Sequence, residues 1–291
     1  MKTQDIAIRQ SSALAVPRAN IGELLLKSGK FISAEDVHRI SQLQKNEGLR
    51  FGDAAIRLGL VTEDDIRHTL SQQFDYPCMP PDSITVDDAV IAAIKPHDPL
   101  VEGLRTLRSQ ILLRWYTEHN HMVVTSPSAG QGTSRIAANL AVVFSQLGTR
   151  TLLIDADMRN PRQHELFQLR GRPGLSDILA GRSSFSVIRG IAELRGLFVL
   201  PAGTEPPNPQ ELLGRGTLNE LFNRASSQFD VIIVDTPPAL DCADAQTLSA
   251  RTGGALIVAR RHHARMADIE EVKQQLATAG AEAIGAVLTD F

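Results

Sequence analysis

Between the apolar run HMVVT and the helical pattern IAANLAVVFSQLG the chain reads Thr125-Ser126-Pro127-Ser128-Ala129-Gly130-Gln131-Gly132-Thr133-Ser134-Arg135. A glycine-containing loop between a buried strand and a helix N-terminus presents backbone N–H groups and a positive dipole end, which suit a polyphosphate. Against the pattern G-x-x-x-x-G-K-[ST], Gly132 and Ser134 fit, whereas Pro127 stands for the first glycine and Thr133 for the lysine. That lysine's ammonium would reach the β and γ phosphates, and losing such charge stabilisation commonly costs orders of magnitude in rate.

Two further segments carry acids. Asp155-Ala156-Asp157-Met158-Arg159-Asn160-Pro161 closes the run TLLID, and Asp235-Thr236-Pro237-Pro238 closes VIIVD. Carboxylates at the C-terminal ends of parallel strands converge on the crevice where such sheets bind ligands. Asp155, Asp157 and Asp235, with the Ser134 hydroxyl, could therefore hold a hydrated Mg²⁺, which takes a few oxygen ligands plus water and phosphate. One such Asp would read as a helix cap; three beside a phosphate loop read as a site.

The elements that must position these residues are legible as alternation. HMVVT (121–125), TLLID (151–155), LFVLP (197–201), VIIVD (231–235), ALIVAR (255–260) and AIGAVL (283–288) are short apolar runs separated by helical stretches, and 100–115 has helical spacing. Strands of this type are buried on both faces, so the expected fold is α/β: a parallel P-loop NTPase-like sheet with helices on both sides. Ahead of it lie two self-similar stretches, 20–44 and 50–73, each with X-hydrophobic-Gly, a second glycine seven positions on (Gly29, Gly59) and a terminal glutamine. Ser33 and Thr62, each followed by acids, cap a second helix in each copy, so each reads as helix, turn, helix. The expected organisation is a mainly helical tandem-repeat domain over 18–79, a proline-bearing linker over 80–98 and a nucleotide-binding domain over 99–291.

Composition narrows the function. With 291 residues, 43% apolar and 22% charged, the chain suffices for two globular domains. A net charge of −3 and a pI near 6.2 give no global field for nucleic acid, so no nucleic-acid partner is expected. The two cysteines, Cys78 and Cys242, have no metal-ligand spacing and fit a reducing cytosol. No apolar run reaches the roughly 18 residues that span a bilayer, so a membrane role is expected only through a partner.

The run from Thr125 to Phe167, then GLSDILAG (174–181), LPAGTEPPNPQELL (200–213) and FDVIIVDTPPALDCADAQ (229–246), resembles the cytoplasmic kinase domain of bacterial tyrosine kinases. These serve exopolysaccharide chain-length control, and the similarity is greatest to the soluble, EpsG-like branch. By that resemblance Ser126–Arg135 is Walker A, with Ser128, Ala129, Gly130, Gln131, Gly132, Thr133, Ser134 and Arg135 at the nucleotide. Asp155 and Asp157 are the extra Walker A′ acids and Asp235 is Walker B. The resemblance implies ATP·Mg²⁺-dependent phosphorylation of tyrosine, with Asp157 as the base, and Ser134, Asp155 and Asp235 at the metal. It further implies a homo-oligomeric ring through Glu102, Arg105 and Arg108, whose E-x-x-R-x-x-R spacing places them along one broad helix face. It also implies a membrane-spanning chain-length-determinant partner that holds a cytoplasmic protein at the inner membrane.

The pattern is departed from at Thr133, and at Thr289, where the family usually has an adenine-contacting asparagine. The only tyrosines are Tyr76 and Tyr116, so autophosphorylation of a tyrosine-rich tail is not expected within this sequence. Two functions follow: a tyrosine kinase, or a kinase-derived regulator that senses ATP/ADP or cyclic di-GMP without efficient transfer. The related partitioning ATPases carry a signature lysine where Ser128 stands, which disfavours that branch.

The tandem repeat resembles the N-terminal domain of type II secretion and pilus-type ATPases, some of which bind cyclic di-GMP. Arg50, Gly52 and Gln73 match in the second copy and Gly22 and Gln44 in the first, where Asn20 replaces arginine. Arginine matters because its flat guanidinium stacks on guanine and also meets phosphate. Cyclic di-GMP binding and plain docking remain equal readings. The cluster Arg260, Arg261, His262, His263 and Arg265 reads as a solvated loop or a contact for an acidic partner.

Overall fold

The computed structural model describes residues 21–27, 33–63, 65–66, 69, 79, 85–169 and 173–290. The chain divides into two compact units, Met1–Pro80 and Pro81–Phe291.

In the first unit, helices α1 (Ile21–Lys27), α2 (Ala34–Glu47) and α3 (Phe51–Arg57) surround a small core of Leu25, Ile40, Ala54, Ala55, Val61 and Ile66. The repeat recurs at atomic detail. Asp36 N–H donates to Ser33 Oγ (3.2 Å) and Ser33 N–H to Asp36 Oδ2 (3.1 Å), and the same reciprocal pair joins Thr62 and Asp65 at 3.2 and 2.9 Å. Each is a capping box, in which the hydroxyl and the carboxylate satisfy each other's backbone donors at the helix start.

The second unit is built on a seven-stranded sheet of order β3-β4-β2-β5-β1-β6-β7. Its strands are β1 (His121–Thr125), β2 (Thr151–Asp155), β3 (Arg189–Gly190), β4 (Leu197–Leu200), β5 (Val231–Asp235), β6 (Gly254–Arg260) and β7 (Glu282–Thr289). All neighbours pair in parallel except β3 with β4. The helices are α4 (Ile91–Ile94), α5 (Pro99–Arg114), α6 (Thr133–Ser145), α7 (Gln163–Leu166), α8 (Leu175–Leu179), α9 (Pro209–Leu213), α10 (Gly216–Ser226), α11 (Asp244–Thr252) and α12 (Met266–Thr278). All six expected strands form. β2 and β5 are buried at every position, because helices cover both faces.

Two features differ from the sequence reading. β7 was expected to be buried on both faces, yet Leu288 is 68% exposed, since an edge strand has a partner on one side only. The two-residue β3 went unread, being too short to show a period.

α6, which leaves the phosphate loop, is buried at every residue from Ile136 to Ser145; a helix apolar all round belongs in a core. Its one side-chain amide there, Asn139, is fully buried and ties the helix to the chain before α5: Oδ1 accepts from Ala92 N–H, and Nδ2 donates to Ala89 O and, within the helix, to Arg135 O, each at 2.8 Å. Gln146 Nε2 donates to Ala92 O at 2.9 Å. Within the span assigned to a linker, residues 85–98 thus pack on α6 and include α4. Gly174 has no room for a side chain: a Cβ there would stand 2.0 Å from Pro201 O, where Leu175 N–H already bonds that carbonyl at 2.8 Å. This close approach seats α8 against the end of β4.

Candidate functional site

The phosphate loop leaves β1 and turns back into α6 through two left-handed glycines, Gly130 (φ 78) and Gly132 (φ 83), a conformation costly for residues with a Cβ. Gly132 is the N-cap of α6, without a side-chain cap, and its carbonyl takes the first intrahelical bond from Ile136 N–H at 3.0 Å. The N–H groups of the first turn therefore need partners outside the helix.

The loop's own side chains fix its shape. Thr133 Oγ1 donates to Ser126 Oγ at 2.8 Å, and Ser126 Oγ donates to Ser128 O at 3.0 Å. Gln131, fully buried, donates from Nε2 to Ser128 Oγ (2.8 Å) and accepts Arg260 N–H on Oε1 (2.5 Å). Thr289 donates its hydroxyl to Gln131 O at 3.3 Å, so it ties β7 to the loop. The basic segment after β6 lies against this loop: Arg260 is bonded to it, and a Cβ on Gly130 would stand 3.9 Å from His263 Nε2.

β5 lies between β1 and β2, and in the β2–β5 register Asp155 pairs with Asp235. The three acids therefore sit at the C-terminal edge of adjacent strands. Asp155, fully buried, accepts Asp157 N–H on Oδ1 (3.2 Å) and the N–H groups of Arg162 and Gln163 on Oδ2 (3.0 and 2.9 Å). Asp157 accepts from Asn160 N–H at 2.9 Å and Arg159 N–H at 3.2 Å. Asp235 accepts Gln163 Nε2 on Oδ2 at 2.8 Å.

Burial pushes Asp235 up to about 7, against the Gln163 amide and the Ser134 hydroxyl, which draw it down. Burial, then the Asp235 charge, raises Asp155; burial also raises Asp157, opposed by the Asn160 and Arg159 N–H groups. Carboxylates gathered in a desolvated edge resist ionising together unless a cation joins them. Asp235 Oδ1 is buried and makes no hydrogen bond among the described residues, which leaves one carboxylate oxygen for such a cation. Among the described residues no group of three or more His, Cys, Asp or Glu side chains is arranged to hold a metal. A dication here takes most of its coordination from water and phosphate, as Mg²⁺ does.

Sequence reasoning missed two polar residues of this edge, Gln163 and Asp244, and placed Gln131 in the loop without its burial or its bond to the Arg260 N–H group. Arg159, two residues after Asp157, is ion-paired to the fully buried Asp244. Gln163 carried no signal, because it belongs to no motif and glutamine is ordinarily a surface residue. A cavity of about 470 Å³ opens between the segment after the A′ acids and the end of β4, lined by Pro161, His164, Leu169, Pro201 and Thr204 among others; none of the three acids lines it.

The remaining expected residues lie elsewhere. On α5, Arg105 donates to Pro96 O (2.5 Å) and to Glu102 (2.9 Å), and Arg108 to Val143 O (2.6 Å), so both arginines hold α5 to its own unit while Glu102 faces solvent. Tyr116 is buried, with its hydroxyl on Ile232 O at 3.2 Å. In the first unit Gly22 is buried in α1, Gln44 Nε2 donates to Leu49 O at 3.4 Å, and Arg50 is exposed at the start of α3. A Cβ on Gly52 would stand 3.2 Å from Ile66 Cγ2, so that glycine has a packing reason. Gln73 and Tyr76 lie outside the described residues. Among the described residues no helix is long and apolar enough to cross a membrane.

A family model described as ParA, NUBPL iron-transfer P-loop NTPase, matches residues 118–288. The tyrosine-protein kinase YwqD of Bacillus subtilis is 37% identical over 200 residues, 68% of this chain and 84% of that protein. EpsB of Ralstonia solanacearum is 39% identical over 199 residues, 68% of this chain, which spans only 26% of EpsB's length. Among solved structures, the kinase domain of the Escherichia coli tyrosine kinase ETK superposes with a TM-score of 0.66 at 32% identity, covering 74% of this chain and 81% of that one.

Proposed function

We propose, because this chain belongs to the bacterial tyrosine-kinase family of ParA-type P-loop proteins, that it transfers the terminal phosphoryl group of ATP to protein tyrosine and thereby regulates exopolysaccharide polymerisation and export. The observation that carries this reading is the meeting of Asp155, Asp157 and Asp235 with the phosphate loop at one edge of the sheet. The first-turn N–H groups of α6 hold the phosphates, and Ser134, Asp155 and Asp235 hold Mg²⁺, which supplies charge neutralisation when bound. Asp157 stands next in the row and accepts the tyrosine proton. The acceptor ring enters near Pro161, which follows Asp157 in the chain and lines a cavity with Pro201. The acceptor belongs to a membrane-spanning chain-length-determinant partner or to another copy of the chain, in a homo-oligomer that uses Glu102.

A second reading rests on Thr133. Its hydroxyl is engaged by Ser126, so the position supplies no cation to the phosphates. In this reading the chain binds ATP or ADP and adjusts its membrane partner without efficient transfer.

The test is phosphotyrosine formation by the purified chain with ATP, Mg²⁺ and the partner's cytoplasmic tail, with Asp157→Ala and Thr133→Lys in parallel. Signal in wild type that vanishes in Asp157→Ala supports the kinase. Silence in wild type with ATP bound, and transfer restored by Thr133→Lys, supports the regulator.

A further inference from the structure

Gln163 sits outside every motif of the nucleotide site, yet joins all three. Its backbone N–H bonds Asp155 Oδ2 at 2.9 Å, and its Nε2 donates to Asp235 Oδ2 at 2.8 Å and to Ser134 O at 3.0 Å. It is fully buried. Both amide hydrogens are thus committed to acceptors, and rotating the amide would set its oxygen against a carboxylate and a carbonyl. The orientation is therefore fixed by chemistry. What remains is Oε1, which is buried and has no hydrogen bond among the described residues. Asp235 Oδ1 is in the same condition. Each shares a carbon with one partner of the Nε2–Oδ2 hydrogen bond, so both bare acceptors flank that bond.

A desolvated acceptor is unfavourable unless a donor or cation serves it, and here there are two flanking one hydrogen bond. A hydrated Mg²⁺ serves both, through the ion or through the hydrogens of its water. We propose that Gln163 is a positioning residue for the metal–nucleotide complex: its amide holds Asp235 so that Oδ1 stays open, and its Oε1 accepts from the metal's water. The inference rests on the nucleotide-binding reading given above and adds a residue outside the Walker motifs. Partners of a ligating carboxylate commonly govern metal affinity by ten- to a hundredfold when removed.

The experiment measures ADP binding by isothermal titration with the full chain, first in EDTA and then across a Mg²⁺ series, for wild type, Gln163→Met and Gln163→Glu. Met keeps the volume without donor or acceptor. Glu keeps the shape but turns an acceptor toward Asp235. The expected result is ADP affinity in EDTA within about twofold of wild type for at least one variant, with a rise of about tenfold or more in the Mg²⁺ concentration that half-saturates the gain. A role confined to packing would move both conditions together. An unchanged Mg²⁺ response in the variants, or an equal loss with and without Mg²⁺ in both, overturns the inference while leaving the nucleotide reading intact. Wild type that binds no ADP under either condition overturns that reading, and this inference with it.

Discussion

The Thr133 hydroxyl donates to Ser126 Oγ at 2.8 Å, so the residue that stands in the place of a P-loop lysine closes the phosphate loop upon itself instead of reaching toward a phosphate. The loop keeps its shape and its helix N-terminus and lacks one charge. Thr133→Lys should raise kcat/KM for ATP on the order of a hundredfold, as restored charge stabilisation does. If turnover is unchanged, another cation already serves. Thr133→Ala should cost about 1 kcal/mol, a lowering of Tm by about 2–4 °C read by calorimetry.

Gln131 holds the loop from inside, through Ser128 and the Arg260 N–H group. Gln131→Ala should weaken ADP binding about tenfold, or about 1.4 kcal/mol, because the loop no longer arrives preformed. Equilibrium binding with a fluorescent ADP analogue measures it. An affinity equal to wild type would show that the loop needs no internal support.

At Gly174 a methyl group would stand 2.0 Å from Pro201 O, a backbone atom that cannot swing aside. Gly174→Ala should therefore destabilise the second unit by about 3 kcal/mol or more, seen as a lower urea midpoint or loss of soluble protein. A midpoint equal to wild type would contradict the close packing of α8 on the end of β4.

The elevated Asp235 sets a pH dependence. In the unfolded chain this carboxyl titrates near 3.8, and in the fold near 7, so between those values the folded state binds more protons than the unfolded. Stability without ligand should fall as pH rises from about 4 to about 7 and level off above, and Asp155 acts in the same direction. Thermal melts from pH 5 to 8 measure it, with Asp235→Asn expected to flatten the profile. A melting temperature that rises across this window in wild type would place the carboxylate in a different environment.

The sheet was legible because parallel strands covered on both faces must be apolar throughout, and their spacing leaves room only for helices between them. Asp155 and Asp235 were legible because each ends such a strand, and Asp157 because it follows Asp155 by two positions. What escaped was of two kinds. Edge behaviour escaped because β7 carries the same apolar residues as β6, and only its position in the strand order exposes Leu288. Buried amides escaped because Asn139 and Gln163 look like surface residues until tertiary contacts assign each donor and acceptor, and Gln131 was readable as a loop residue but not as the buried brace that it is. Arg105 and Arg108 were readable as a helix face, but not that backbone carbonyls of their own unit engage them.

Transfer of phosphate to tyrosine at this edge of the sheet is read by phosphoamino-acid analysis after incubation with γ-labelled ATP, Mg²⁺ and a tyrosine-bearing acceptor. Label is expected on phosphotyrosine, dependent on Mg²⁺ and lost in Asp157→Ala; label that persists undiminished in Asp157→Ala, or that never appears on tyrosine while ATP is bound, would contradict such transfer.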